Sequence, residues 1–206
     1  MLFRSFERRG ITVMTGTGVT GVNEERGELL VTVEKEGVRE SISCGKVLAA
    51  IGVQPNSANL GLDDVGVETN RGFINVGDNM ETNIPGIYAI GDVTSLPMLA
   101  HKATYEGKLA AEIIAGIKKN IKSRVIPSVA YTDPEIAWAG LTETEAKINN
   151  IPYEKGEFPW IASGKAISHG RTEGKTKTIY DPKSKQILGI GIVGTNAGDI
   201  ISEGVL

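Results

Sequence analysis

The stretch TNIPGIYAIGDV at residues 82–93, followed after a short loop by PMLAHKATYEGKLAAEIIAG at 97–116, decides how this chain is read. Thr82-Asn83-Ile84-Pro85-Gly86 is a turn signal, since proline presets φ and glycine tolerates the left-handed conformation. Ile87-Tyr88-Ala89-Ile90 then reads as a second short buried strand, ending in Gly91-Asp92. A helix is predicted over residues 100–116, with Ala103, Gly107, Ala110 and Ile114 facing inward and Lys108 and Glu112 outward. Small residues on the inward face imply close packing on a sheet. A Gly-Asp at the carboxyl end of a buried strand, followed closely by a helix start, turns a carboxylate and unpaired amides toward one ligand. Taken alone, Gly-Asp is better explained by a turn cap at Asp92, with His101 an ordinary polar helix residue.

Upstream, residues 2–9 read as a surface helix with Leu2, Phe3 and Phe6 on one face and a stop at Gly10, a simpler reading than an Arg-rich transit peptide. An antiparallel meander is predicted next, with strands from residue 11 to 22, 29 to 34 and 38 to 43 and turns between them. The run Lys46-Val47-Leu48-Ala49-Ala50-Ile51-Gly52 differs, being continuously apolar, and reads as the last buried parallel strand of an α/β nucleotide domain. A polar loop at 54–66 leads to a hairpin turning at Arg71-Gly72. Two literal GxGxxG strings occur, at 16–21 and 189–194. A dinucleotide fingerprint must follow a strand and open a helix; the first string runs into another strand, and the second alternates Ile and Val as a strand does. Both are read as structural.

Downstream, the charged segment 118–124 reads as a linker. Residues 125–206 read as an antiparallel sheet with helices, an α+β unit. Thr142 and Glu145 have capping-box spacing before a helix, and residues 200–206 look like a helix without a stop signal, which suggests a truncated chain. The strands carry Val129, Ile136, Trp138, Ile187, Ile190 and Ile192, more apolar surface than one helix layer covers.

A net charge of −3, from 22 basic and 25 acidic residues spread along the chain, leaves no footprint for nucleic acid or an anionic membrane surface. Apolar runs are strand length, far below the roughly 20 residues of a membrane span. The single cysteine, Cys44, excludes an internal disulfide and a cysteine-built metal site, fits a reducing compartment, and reads as a small core hydrophobe. His169 reads as a solvated loop side chain.

The block at 82–116 resembles the second flavin-binding motif of the pyridine nucleotide-disulfide oxidoreductases. MLAHKA at 98–103, YTDPEIAWAGLTETEA at 131–146 and FPW-ASGKA at 158–166 are similar to the dihydrolipoamide dehydrogenase branch of that family in particular. Glutathione and mercuric reductases share the architecture but usually read differently at the flavin helix start. IGVQPN at 51–56 matches the segment after the family's nucleotide domain, with Val53 where many members carry Arg. The resemblance covers nearly the whole chain.

The resemblance implies a fold class of α/β and α+β, in which remnants of Rossmann-like NAD- and FAD-binding domains precede an α+β interface domain. Residues 1–52 would end the NAD-binding domain, 53–122 would be the carboxy-terminal part of the FAD-binding domain, and 123–206 a truncated dimerisation domain. It implies an enzyme that oxidises protein-bound dihydrolipoamide through a cysteine disulfide, passes electrons to FAD and then NAD, and works as a homodimer; the cysteine usage fits a cytoplasmic location. Its partners would be the lipoyl domains of 2-oxo acid dehydrogenase complexes. Carried over by position, Asp92, preceded by Gly91, accepts hydrogen bonds from the ribityl chain of FAD. Met98, Leu99, Ala100 and His101 present backbone groups to the flavin edge, and Gly52 and Val19 match positions that touch NAD. No catalytic residue and no metal ligand is expected here, because the family's redox cysteine pair, its two nucleotide fingerprints and its His-Glu base match nothing in these residues; the chain by itself is expected to be inactive. The alternatives are a related flavin disulfide reductase and a non-catalytic dimerisation fragment.

Overall fold

A computed structural model describes residues 2–25, 27–117 and 125–206. The linker segment 118–124, and with it the expected boundary between residues 122 and 123, lies outside the described residues. The chain divides into two compact units, Met1–Val53 and Gln54–Leu206.

The first unit opens with a helix, α1 (Leu2–Arg8), and continues as an antiparallel meander of β1 (Gly18–Glu25), β2 (Glu28–Lys35) and β3 (Val38–Cys44), in the order β1-β2-β3. Glu36 and Gly37, both with positive φ (52° and 81°), form the two-residue turn between β2 and β3, the mirror-type turn that matches strand twist. The central strand is half-buried along most of its length, and Val33 is its buried residue. The string at 16–21 enters β1 and opens no helix, so the structural reading holds. Cys44 ends β3, half-buried.

Two expectations in this unit are corrected. Residues 11–14 are not a strand; β1 begins at Gly18. The apolar run 46–52 forms no strand and is solvated, with Leu48 90% and Ile51 97% exposed. A central parallel strand exists only through neighbours on both edges and helices on both faces, and no described strand pairs with this run. Its apolarity is a local property; its pairing is not.

The second unit begins with a one-turn helix, α2 (Leu62–Val65), and a hairpin of β4 (Thr69–Asn70) and β5 (Phe73–Ile74) turning at Arg71-Gly72 as expected. The segment read as a buried strand at 87–90 is extended but joins no ladder: it makes one isolated bridge, Glu81 with Tyr88. The reason is again the lack of a described partner strand on either edge. Burial of this segment comes from side chains instead, Ala89 packing with Val67 and Ile74, and Tyr88 against Met80, Leu109 and Ala110. The last two belong to α3 (Ala100–Ile114).

The rest of this unit is a five-stranded antiparallel sheet with helices, in the order β6-β7-β10-β9-β8. Its elements in chain order are β6 (Ser128–Ala130), β7 (Glu135–Gly140), α4 (Glu143–Ile148), β8 (Glu154–Pro159), α5 (Gly164–Ser168), β9 (Lys175–Tyr180), β10 (Ile187–Gly194) and α6 (Ala197–Val205). α6 covers one face, where Ala137, Ala139, Ile192, Ala197 and Ile201 form the core. Burying an isoleucine there stabilises by about 1.5–3 kcal/mol. The string at 189–194 is β10 itself. Thr142 caps α4: its hydroxyl accepts from the Glu145 amide (3.2 Å) and the Glu145 carboxylate accepts from the Thr142 amide (2.8 Å), the expected capping box. His169 follows α5 as an exposed cap residue.

Candidate functional site

Between Ile90 and α3 the backbone turns sharply. Gly91 adopts φ 77° and opens a 3-10 turn, Gly91–Val93, lying on α3. A Cβ on Gly91 would stand 3.0 Å from the Ala103 Cβ, and one on Gly107 3.1 Å from Ile90 Cδ1, so the small residues expected on α3 do allow the close approach. The buried stripe of α3 is nevertheless rotated from the expected one. It runs through Lys102, Glu106, Leu109 and Ala110, while Ile114 is exposed.

Lys102 (3% exposed) and Glu106 (1%) form an i,i+4 ion pair at 3.3 Å inside the protein. Both hold the turn. Glu106 Oε2 accepts the Gly91 amide at 2.8 Å, and Lys102 Nζ donates to the Gly91 carbonyl at 3.1 Å. The Thr94 hydroxyl donates to the same carbonyl at 2.8 Å and accepts from Lys102 Nζ at 3.3 Å. Sequence reasoning missed this network, because charged residues spaced i,i+4 ordinarily decorate a solvated face. The available signal was that Lys102, Glu106, Leu109 and Ile113 share one helical stripe.

The residues assigned to the flavin by position fall together in this short stretch. Asp92, next to the buried Gly91, is exposed, Met98 and Leu99 are half-buried, and Ala100 and His101 are exposed. Leu99, the N-cap of α3, is extended and supplies no side-chain cap. The first amides of the helix therefore keep their donor capacity and the positive end of the helix dipole, a setting that favours negative charge. His101 bonds the Pro127 carbonyl through Nε2 at 2.7 Å; a carbonyl only accepts, so Nε2 carries the hydrogen. Gly52 (φ 103°) and Val19, on β1, are exposed residues of the first unit. Among the described residues no group of three His, Cys, Asp or Glu is arranged to hold a metal ion, and no helix is long and apolar enough to cross a membrane.

The family model of the pyridine nucleotide-disulphide oxidoreductases matches residues 1–107 of the 206, more than half of the chain. The chain belongs to that family. The family's dimerisation-domain model matches residues 126–206, the region of the five-stranded sheet. Relatives include a dihydrolipoyl dehydrogenase of Buchnera aphidicola subsp. Acyrthosiphon pisum, 46% identical over 98% of this chain and 43% of the relative. Another, from Vibrio parahaemolyticus, is 46% identical over 93% of this chain and 41% of the relative. Among solved structures, LpdA from Mycobacterium tuberculosis superposes with a TM-score of 0.88 at 25% identity, over 98% of this chain and 44% of that one. The HOCl-induced flavoprotein disulfide reductase RclA from Escherichia coli gives 0.84 at 21% identity, over 98% of this chain and 46% of that one, a likeness of fold. The chain thus spans less than half the length of the relatives it matches. The fold class of this pyridine nucleotide-disulphide oxidoreductase chain is α/β, in Rossmann-like portions, followed by an α+β dimerisation domain, as its sequence implies.

Proposed function

We propose that this chain is the carboxy-terminal part of a dihydrolipoamide dehydrogenase, an enzyme that oxidises protein-bound dihydrolipoamide with FAD and NAD. The observation that carries the reading is the 46% identity to a dihydrolipoyl dehydrogenase over 98% of the chain. The local geometry fits FAD: an exposed carboxylate, Asp92, sits within a turn buttressed on α3, whose first amides lack a side-chain cap. When bound, FAD supplies a two-electron relay between a dithiol and NAD.

In this reading the chain's residues bind and orient. Asp92 accepts hydrogen bonds from ribityl hydroxyls. The backbone of Met98, Leu99, Ala100 and His101 faces the flavin edge, where the helix start stabilises negative charge. Gly52 and Val19 line the NAD side. Residues 1–52 close the NAD-binding domain, 53–122 complete the FAD-binding domain, and 123–206 form the interface of a homodimer that serves lipoyl domains of 2-oxo acid dehydrogenase complexes in the cytoplasm. With Cys44 as its one cysteine, the chain cannot form an internal redox disulfide, so purified alone it is expected to lack lipoamide turnover and to lose added FAD on gel filtration.

The test expresses the complete reading frame that encodes this chain and assays NAD-dependent oxidation of dihydrolipoamide beside reduction of glutathione disulfide and mercuric ion. The reading expects a yellow protein active on dihydrolipoamide. A flavin-free product, or activity confined to either other substrate, would overturn it.

A further inference from the structure

We infer that Lys102 and Glu106 are positioning residues for the cofactor, a buried charged clamp that grips both backbone polar groups of Gly91 and thereby aims Asp92. The inference rests on the FAD reading proposed above and assigns the pair a task that the binding residues do not perform themselves.

The geometry separates this from ordinary helix support. An i,i+4 pair whose only task is to stabilise a helix gains little by leaving water, and burying both charges costs several kcal/mol per ion unless other bonds offset it. Here the offsetting bonds reach another segment and centre on one residue of it: Gly91 donates its amide to Glu106 and offers its carbonyl to Lys102 and Thr94, whose hydroxyl also accepts from Lys102. With amide and carbonyl both held, the two peptide planes flanking Gly91 are fixed, and its left-handed φ of 77° is held with them. Asp92 is the next residue, so the direction of its Cα–Cβ bond follows from the clamp. Lys102 and Glu106 also lie within the first two turns of the helix whose leading amides face the same ligand, so one pair ties the two halves of the site together.

The test uses the FAD-loaded product of the complete reading frame, with FAD affinity, the visible circular dichroism of the bound flavin and Tm measured on the same variants. Lys102→Met leaves Glu106 buried without its cation and is expected to lower both Tm and FAD affinity. Lys102→Met with Glu106→Gln removes the lone charge and keeps an acceptor for the Gly91 amide. Its Tm should return close to that of the parent, while FAD Kd stays raised by at least about tenfold, the worth of a hydrogen bond to a charged group, with an altered flavin dichroism. Thr94→Val, nearly isosteric and with the ion pair intact, should raise Kd by about two- to tenfold with little change in Tm, and it serves if the double variant does not fold. Parental Kd and dichroism in the double variant and in Thr94→Val would overturn the clamp and leave the FAD reading standing. Affinity that merely tracks Tm across the three variants would overturn it too. A parent protein that holds no FAD would instead overturn the FAD reading, and the clamp with it.

Discussion

Asp92 and Gly91 are neighbours with opposite requirements. The glycine must be buried against Ala103 with a left-handed backbone, and the aspartate must stay exposed. Asp92→Ala in the FAD-loaded protein is expected to raise the FAD Kd by about ten- to a hundredfold, the range of one hydrogen bond accepted by a charged group, with Asp92→Asn milder. Equal flavin retention by both variants on dilution and filtration would remove Asp92 from the site. A second residue-scale constraint lies where β7 ends beside β10. A Cβ on Gly189 would fall 2.0 Å from the Leu141 carbonyl oxygen, which is backbone and cannot rotate away. Gly189→Ala should therefore cost about 1–3 kcal/mol through forced backbone movement. Calorimetry should show a lower Tm; an unchanged Tm would mean that the strand end relaxes without penalty.

At the scale of elements, α4 is capped at its start by Thr142 and buries Ala146. Removing the cap hydroxyl with Thr142→Ala should cost about 1 kcal/mol, or roughly 2–4 °C in Tm for a chain of this size. Glu143, on the first turn, reaches to the sheet. A hydrogen bond from Lys177 (2.5 Å), more than the bond from the Tyr153 hydroxyl and the nearby Lys155, holds its carboxyl down to about 2 against the opposing effect of partial burial. A carboxyl depressed in the folded state contributes stability above its unfolded pKa and loses it as pH falls through the folded value. The contribution should be nearly complete above about pH 4.5 and be lost as the pH falls through about 2. Partial exposure screens it, so the effect is modest. Denaturant titrations of the parent and Lys177→Met should differ above pH 4.5 and converge toward pH 2; a gap that does not depend on pH would point to lost lysine packing instead.

For the whole molecule, the sheet of residues 126–206 is covered by α6 on one face only. Trp138 lies between Ala137 and Ala139, which point into the α6 core, so strand alternation places it on the opposite face, where it stays 40% exposed. Ile187 and Phe158 add further exposed apolar surface to the sheet. Because this region matches the family's dimerisation domain, the chain is expected to self-associate at micromolar concentration, and Trp138→Lys to shift it toward monomer. Sedimentation of the parent as a clean, compact monomer would count against this face as an interface.

Much of this was decided within short stretches of sequence. The capping box at Thr142 and Glu145, the turns at Glu36-Gly37 and Arg71-Gly72, the strand character of both GxGxxG strings and the close-packing residues Ala103 and Gly107 depend on neighbours a few positions away. Periodicity and backbone preference report such relations directly. The location of the candidate site was legible for a similar reason, since a Gly-Asp, a loop and a helix start are consecutive. Tertiary structure decided the rest. Among the described residues the apolar runs at 46–52 and 87–90 find no paired strand that would make strands of them, and hydrophobicity measures the wish to be buried, not the presence of a partner. Lys102 and Glu106 look like surface residues until the backbone of Gly91 is brought to them, and Glu143 finds Lys177 only when β9 is brought to the start of α4. A buried charge depends on polar groups distant in sequence to offset its lost hydration, so its place could be known only once the chain had folded around it.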